Sequence, residues 1–209
     1  MRASVLAVLT ALAACAPAAA PPPSAEAPAQ NAAISTQGWI LASAESRLSF
    51  LSVKAGEIVE AHSFGGLSGE IGPDGAARIA IPLDQVKTNI DIRDERMREH
   101  FFETVRFPVA NVVAQIDLAG YGDLAVGARK VTALTLTLDL HGVQAPVEAQ
   151  FFVTRLGERR VEVASVDPIL VHVEDFGLAA GLETLRGLAN LPAITPVSPV
   201  SVNLVFDAR

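Results

Sequence analysis

RKVTALTLTLDLH, residues 129–141, decides the fold. Leu134, Leu136, Leu138 and Leu140 recur at every second position, with Thr135, Thr137, Asp139 and His141 between them. A period of two is a β-strand with one dry and one wet face; a helix would space its apolar residues three and four apart. His141-Gly142 then supplies a turn. Beyond it Val147, Ala149, Phe151 and Val153 oppose Glu148, Gln150 and Thr154, a second long strand running back along the first.

The same rhythm extends in both directions. Leu48, Phe50 and Ser52 share one face, as do Ala77, Ile79 and Ile81 before Pro82. Ala110, Val112, Ala114, Ile116 and Leu118 oppose Asn111, Gln115 and Asp117. Val161 and Val163 follow, and Val200, Val202, Leu204 and Phe206 close the chain. Gly72-Pro73-Asp74-Gly75 and Gly157-Glu158 mark further tight turns. Roughly seven to nine strands joined this way predict an all-β antiparallel meander, and rolling it into a barrel hides its edges.

Two segments break the rhythm. In IDIRDERMREHFFET, residues 90–104, eight of fifteen residues are charged. Met97, Phe101 and Val105 fall at i, i+4 and i+8, which predicts a short helix near 92–103 with those three on its dry side. Asp94 with Arg98 and Arg96 with Glu99 are the expected pairs on its wet side. GLETLRGLANL, residues 181–191, repeats the pattern through Leu182, Leu185 and Ala189, and Pro192 stops it; a second helix is expected near 180–191.

The N-terminus has a different logic. MRASVLAVLTALAAC, residues 1–15, has one basic residue, Arg2, and an apolar run too short to span a bilayer. It reads as an export signal over 1–14. Leu12-Ala13-Ala14-Cys15 resembles a bacterial lipobox, in which the cysteine becomes the first residue and carries lipid. Cys15 is the chain's single cysteine, so neither an internal disulfide nor a cysteine-based metal site is available. Ala16, which is not aspartate, directs such a lipoprotein to the outer membrane by the same resemblance. The competing reading is an ordinary signal peptide cut after Ala18-Ala19-Ala20. Residues 15–37, the lipidated cysteine and an Ala/Pro-rich stretch, are expected to form a disordered tether, and residues 38–209 the folded domain.

The chain of 209 residues carries a net charge of −7, with a pI of about 5.1, and no basic stripe that could neutralise phosphates. Nucleic acid is excluded as a partner on that ground. Enzyme motifs are missing: there is no Gly-x-Ser-x-Gly, Ser-x-x-Lys or His-Glu-x-x-His. Gly120-Tyr121-Gly122-Asp123-Leu124-Ala125 formally fits a dinucleotide fingerprint, but a strand follows it where a helix is required. His172 and Glu174 are a weak metal cue, outweighed by the reading of a solvated histidine. No catalytic residue, metal or cofactor is expected.

A resemblance adds to this. Ser46-Arg47-Leu48-Ser49-Phe50, then FGGLSG at 64–69, Thr88, RDERMREHFF at 93–102, Phe107-Pro108 and Leu140-His141-Gly142-Val143 occur in an order that resembles the YceI-like, polyisoprenoid-binding family across residues 38–208. RDERMREHFF is the most specific of these motifs. The resemblance implies a lipocalin-like, extended barrel, exported to the periplasm, which binds or carries an isoprenoid, quinone or fatty-chain amphiphile and is not an enzyme. Where many members show a histidine in the early strand, this chain has Val53-Lys54-Ala55.

The ligand-lining set expected on that reading is the inward one. It comprises Ile79 and Ile81, Val112 and Ile116, Leu134, Leu136, Leu138 and Leu140, and Val147, Phe151 and Val153, with Met97 and Phe101 from the helix; Phe102 would help close the mouth. The same pattern also describes a solid core in which these side chains only pack. Arg93, Arg96 or Arg98 could meet an acidic head group, or could pair with Asp94, Glu95 and Glu99. Partners expected are the amphiphile and, through Cys15, a membrane, with room for a homodimer. The competing functions are an interaction or scaffold lipoprotein using the barrel's outer surface and, ranked last, a hydrolase using His62, His100 and Glu103.

Overall fold

The structure, a computed structural model, describes residues 38–209. The proposed signal, Cys15 and the tether lie outside the described residues. Twelve strands are present: β1 (Trp39–Leu41), β2 (Arg47–Lys54), β3 (Ile58–Phe64), β4 (Ser68–Ile71), β5 (Ala76–Pro82), β6 (Val86–Lys87), β7 (Val109–Gln115), β8 (Arg129–Leu140), β9 (Val143–Gly157), β10 (Arg160–Ser165), β11 (Ile169–His172) and β12 (Val197–Ala208). Every pairing between them is antiparallel.

The hairpin quoted first is the backbone of the molecule. Leu134 pairs with Ala149, Leu136 with Val147 and Leu138 with Ala145, so the dry faces of β8 and β9 coincide. Neighbouring strands extend the sheet in the order β1-β4-β5-β7-β8-β9-β10-β12. β12 then pairs with β1, Trp39 opposite Ala208, and the eight-strand ring closes. Closure leaves the ring with no free edge. The N-terminal half of β12 pairs instead with β2 and β11, Val200 standing between Phe50 and Ile169.

The barrel has two unlike ends. The base gathers β1, the 72–75 turn, the 116–128 connection and the end of β12. Gly75, at φ +82°, is required there, because a Cβ would stand 2.0 Å from the Ile116 carbonyl oxygen. The other end carries the 55–57 and 141–142 turns and two long excursions. One excursion holds helix α1 (Asp91–Arg96) and a π-helical turn (Met97–Phe101); the other holds α2 (Ala179–Leu188). Gly181 lets α2 seat directly on the π turn: an added Cβ would lie 2.5 Å from the His100 carbonyl oxygen.

The helix differs from its sequence reading in detail. A π turn carries more residues than an α turn, and Phe102 N–H bonds back to the Met97 carbonyl, five residues earlier. Met97 and Phe102 are therefore the buried pair, at 7 % and 5 % exposure, while Phe101 is half-buried. Val105 is thrown clear, 99 % exposed, because the turn ends before it. Asp94 is not on a wet face paired with Arg98. It is buried and accepts hydrogen bonds from Thr88 N–H (2.8 Å) and Thr88 Oγ1 (2.5 Å), pinning the approach to α1. On α2, Leu182 and Leu185 pack against the core, whereas Ala189 lies past the helix end and is exposed.

Candidate functional site

Inward residues of an eight-strand barrel either fill it or line a slender space. Here they line a space: an interior cavity of about 280 Å³. Its wall follows β8 from Leu134 to Leu140 and β12 from Ser198 to Phe206, so it is elongated along the strands. Among the described residues no charged side chain lines it, and only Trp39, Tyr121 and Ser198 contribute polar side-chain atoms. Tyr121 spends its hydroxyl on Thr132 Oγ1 (2.7 Å) and Ser198 donates to the Leu51 carbonyl (2.9 Å). Trp39 Nε1 is buried with no hydrogen-bond partner among the described residues, and the rest of the wall they form is hydrocarbon.

The ring is not laddered throughout. β7 pairs with β8 only over Asn111–Val113. β9 pairs with β10 only from Phe151 onward, and β11 pairs with β12 alone. The wall side chains beside these interruptions, Leu134, Leu136, Val147, Ile169 and Val171, are half-buried.

The base is sealed. Phe151, Val153 and Arg155 alternate inward along β9, and Arg155 is 0 % exposed. Its guanidinium donates to the carbonyls of Leu124 (2.9 Å) and Gly157 (3.3 Å), so a charged group is buried by fastening two loops across the barrel floor. An arginine at an inward position of a period-two strand was the signal for this residue, and the alternation alone did not single it out.

At the opposite end the inward face changes chemistry at one cross-strand pair. Leu48 and Phe50 of β2 and Phe64 of β3 are on the wall. Phe50 pairs with His62, and from there toward the Ala55–Gly56 turn the same face carries Ser52, Glu60 and Lys54. Phe101 and Phe102 finish the wall beside them, in edge contact with each other and with Phe102 against Phe64.

The polar side of that boundary is a network. Lys54 and Arg93 both pair with Glu60, Arg93 Nη1 at 2.7 Å, and Arg93 Nη2 donates to the Thr88 carbonyl at 2.6 Å. These cations hold the Glu60 carboxyl below its ordinary range, the Lys54 hydrogen bond most of all. His62, 5 % exposed, shares a hydrogen bond with Ser52 Oγ (2.9 Å) and packs its ring on Phe50. Burial first, then the Arg93 charge, pushes the His62 pKa down, so the ring is held neutral. Arg93 thus meets Glu60 from β3 and not Asp94, Glu95 or Glu99; Arg96 donates to the Leu188 carbonyl of α2.

Every residue of the expected lining set is on the cavity wall except Met97. Met97 is buried in the core beneath the π turn instead, for the reason of period given above. Much of the wall was not in that set: Leu48, Phe50, Phe64, Val163, Val200 and Leu204 are examples. Their alternation was legible, and the same rule that selected the β8 leucines would have found them. His62, His100 and Glu103 are not assembled into one site: Glu103 pairs with Arg106 (2.6 Å) and lies 3.3 Å from His141.

The family model described as YceI-like domain matches residues 39–206. The chain belongs to the YceI-like family. A relative of known structure, described as a polyisoprenoid binding domain from Saccharophagus degradans implicated in plant cell wall breakdown, is 40 % identical; the match covers 83 % of this chain and 99 % of that one, with a TM-score of 0.81. BcnA from Burkholderia cenocepacia shares the fold at 14 % identity, covering 79 % of this chain and 98 % of its own, with a TM-score of 0.61. A comparison with curated proteins found no match.

Proposed function

We propose that this YceI-like protein binds a linear apolar chain, an isoprenoid or a related amphiphile, along its barrel, and that it carries or sequesters that molecule without chemically changing it. The observation that carries the reading is the bore itself: elongated, with a wall that among the described residues has no charged side chain and polar side-chain atoms at only three positions. The 40 % identical relative, described as polyisoprenoid-binding, supports the same ligand class for this chain. Each methylene withdrawn from water into such a bore contributes about 0.8 kcal/mol before the costs of ordering, so a chain of isoprenoid length has ample driving force. We also propose that the protein works in the periplasm, tethered to the outer membrane through a lipid on Cys15; the lipobox-like Leu12-Ala13-Ala14-Cys15 supports this.

Native mass spectrometry of full-length protein from its own host tests the binding reading. The expected result is an apolar adduct that organic extraction removes. Replacing Ala114 on the wall by Phe fills the bore and should abolish the adduct while the barrel still folds. A protein that never acquires an adduct, with or without added prenyl lipid, would end the reading.

A further inference from the structure

The outward faces of the barrel are not alike. On β8 and β9 the outward cross-strand pairs are Thr135–Glu148, Thr137–Pro146 and Asp139–Gln144, the wet side that period two predicts. On β11, β12 and β2 the bore takes Ile169, Val200 and Phe50 inward, and the positions between them should be as wet. They are not. The outward pairs across β11, β12, β2 and β3 are Leu170–Pro199, Leu51–Ala61 and Val53–Val59. Val59 and Leu170 are 58 % and 57 % exposed, Ala61 is exposed, and the other three are half-buried. A sheet that is apolar on both sides is one covered on both sides, and these exposures leave the outer side of this one bare.

What fits the face follows from what it lacks. None of the six side chains has a hydrogen-bonding group, whereas a protein partner makes about one hydrogen bond per 100–200 Å² of contact. Charge is confined to the margins: Glu57 in the β2–β3 turn, Asp167 and Glu174 beyond the two ends of β11, and Arg47 beyond the small hydroxyls of Ser49, Ser63 and Ser201. A second copy of this chain, of net charge −7, would bring the same acidic margin with it. A hydrocarbon layer asks for neither charge nor hydrogen bonds.

Two further observations favour a lipid layer. β11 lies on the same side of β12 as β10, yet no ladder among the described residues joins it to β9. The bore wall therefore has a seam there, with Val147 on one strand and Ile169 and Val171 on the other, and Leu170 stands on the outer side of the same strand. The apolar face thus borders the one stretch of wall behind which the bore is closed by side chains without a backbone ladder. The other observation is reach. On the anchoring proposed above, residues 15–37 run from Cys15 to the base of the barrel; these 23 residues extend to about 75 Å at most, against about 40 Å for the 12 residues of β12. The anchor leaves the barrel able to lie on its side.

We propose that the outer face of β11, β12, β2 and β3 docks on a lipid bilayer whose surface carries no net charge, with Leu170 and Val59 at the boundary of head groups and acyl chains and the β9–β11 seam beside them. The acidic margin sets an anionic surface at a disadvantage. The docking goes beyond ligand binding and does not depend on it.

Flotation with phosphatidylcholine vesicles tests it, on the chain from residue 15 with Cys15→Ser, so that no attached lipid contributes. The expected result is binding that added salt leaves unchanged and that phosphatidylglycerol weakens. Leu170→Asp and Val59→Asp, at opposite edges of the face, should each lower partitioning about tenfold. Both positions are exposed, so the variants should unfold in urea as the parent does. Val131→Asp, at an outward valine of β8 that is 50 % exposed, should bind as the parent does. Ala114→Phe, which fills the bore, should also leave vesicle binding unchanged, so that failure of the docking and failure of ligand binding are told apart. The proposal is overturned by an absence of binding to phosphatidylcholine, by binding that needs phosphatidylglycerol and is lost in salt, or by an equal loss in Val131→Asp. A dimer in sedimentation that Leu170→Asp dissolves, with no vesicle binding, would put a second copy on the face and overturn it as well.

Discussion

At the base of the barrel, Arg155 is wholly buried and fastened to two carbonyls, with Trp39 and Phe206 buried at the same end. At the helix end, the wall gives way to aromatic rings and then to a network of titratable groups under a short helix. Both ends bury charge, but they spend it differently. The base uses one arginine to fasten the 116–128 connection to the end of β9. The helix end uses Lys54, Glu60, Arg93, Asp94 and Thr88 to hold an excursion that is only lightly laddered: β6 contributes two residues to the sheet. On the binding function proposed above, the distribution of hydrogen bonds favours the helix end over the base as the end that opens.

That contrast can be broken at the base first. Arg155→Met keeps the apolar stem and removes the guanidinium, leaving the Leu124 and Gly157 carbonyls, on half-buried residues, without this donor. Charge-assisted hydrogen bonds in dry surroundings predict a loss of about 3 kcal/mol in urea unfolding, the largest effect expected of any single change here. Ligand affinity of the folded fraction should not move. A variant of unchanged stability would mean the floor is held by packing alone.

At the helix end the matching change is Asp94→Ala. Thr88 N–H loses its acceptor and Thr88 Oγ1 keeps only its long bond to the Ile90 carbonyl (3.5 Å), and a loss of about 2 kcal/mol is expected. Because the lock lies between β6 and α1, this variant should also release bound ligand faster, which Arg155→Met should not. Equal release rates from the two variants would erase the distinction between the ends. A smaller effect follows from Gly181→Ala. The added methyl must push α2 away from the π turn at His100, at about 1–2 kcal/mol by analogy with overpacked cores, without touching the network.

The strands, their faces and the closed barrel were legible because period two survives wherever one face is dry. Leu134 to Leu140 and Ala110 to Ala114 read the same in sequence and in structure, whereas Leu118, read on the same face, lies on the wall from a 3-10 turn beyond the end of β7. Whether inward residues pack or line a bore was not legible from alternation, since both arrangements obey it; the difference lies in how far apart opposite walls stand. The π turn was invisible for a related reason. Met97 and Phe101 at i, i+4 and Met97 and Phe102 at i, i+5 are both present in MREHFF, and only the backbone chooses between them. The polar boundary escaped because its members are scattered through the chain: Ser52 and His62 on one hairpin, Thr88, Arg93 and Asp94 a long excursion later. Asp94 looked like a surface partner for Arg98 on helical spacing alone, and the buried Thr88 donors outcompeted that arginine.

The mildest difference between the ends is their response to acid, and it isolates a single residue. None of the four histidines is in the segments that form the base. His62, among Arg93, Lys54, Glu60 and Asp94, has its pKa held below the ordinary value of 6.5, by burial above all. In the unfolded chain it takes up a proton near that ordinary value; in the folded protein it does so only at lower pH. Unfolding therefore binds protons in this window, and the stability owed to neutral His62 is complete above pH 6.5 and declines as pH falls toward the folded value. Glu60, whose pKa is lowered from 4.5, adds a second decline that begins only below that value. Urea unfolding between the two should show a shallow slope in the native chain and none from this source in His62→Phe. The same slope in both proteins would show that the ring is solvated in the folded state and that the helix end is wetter than its neighbours imply.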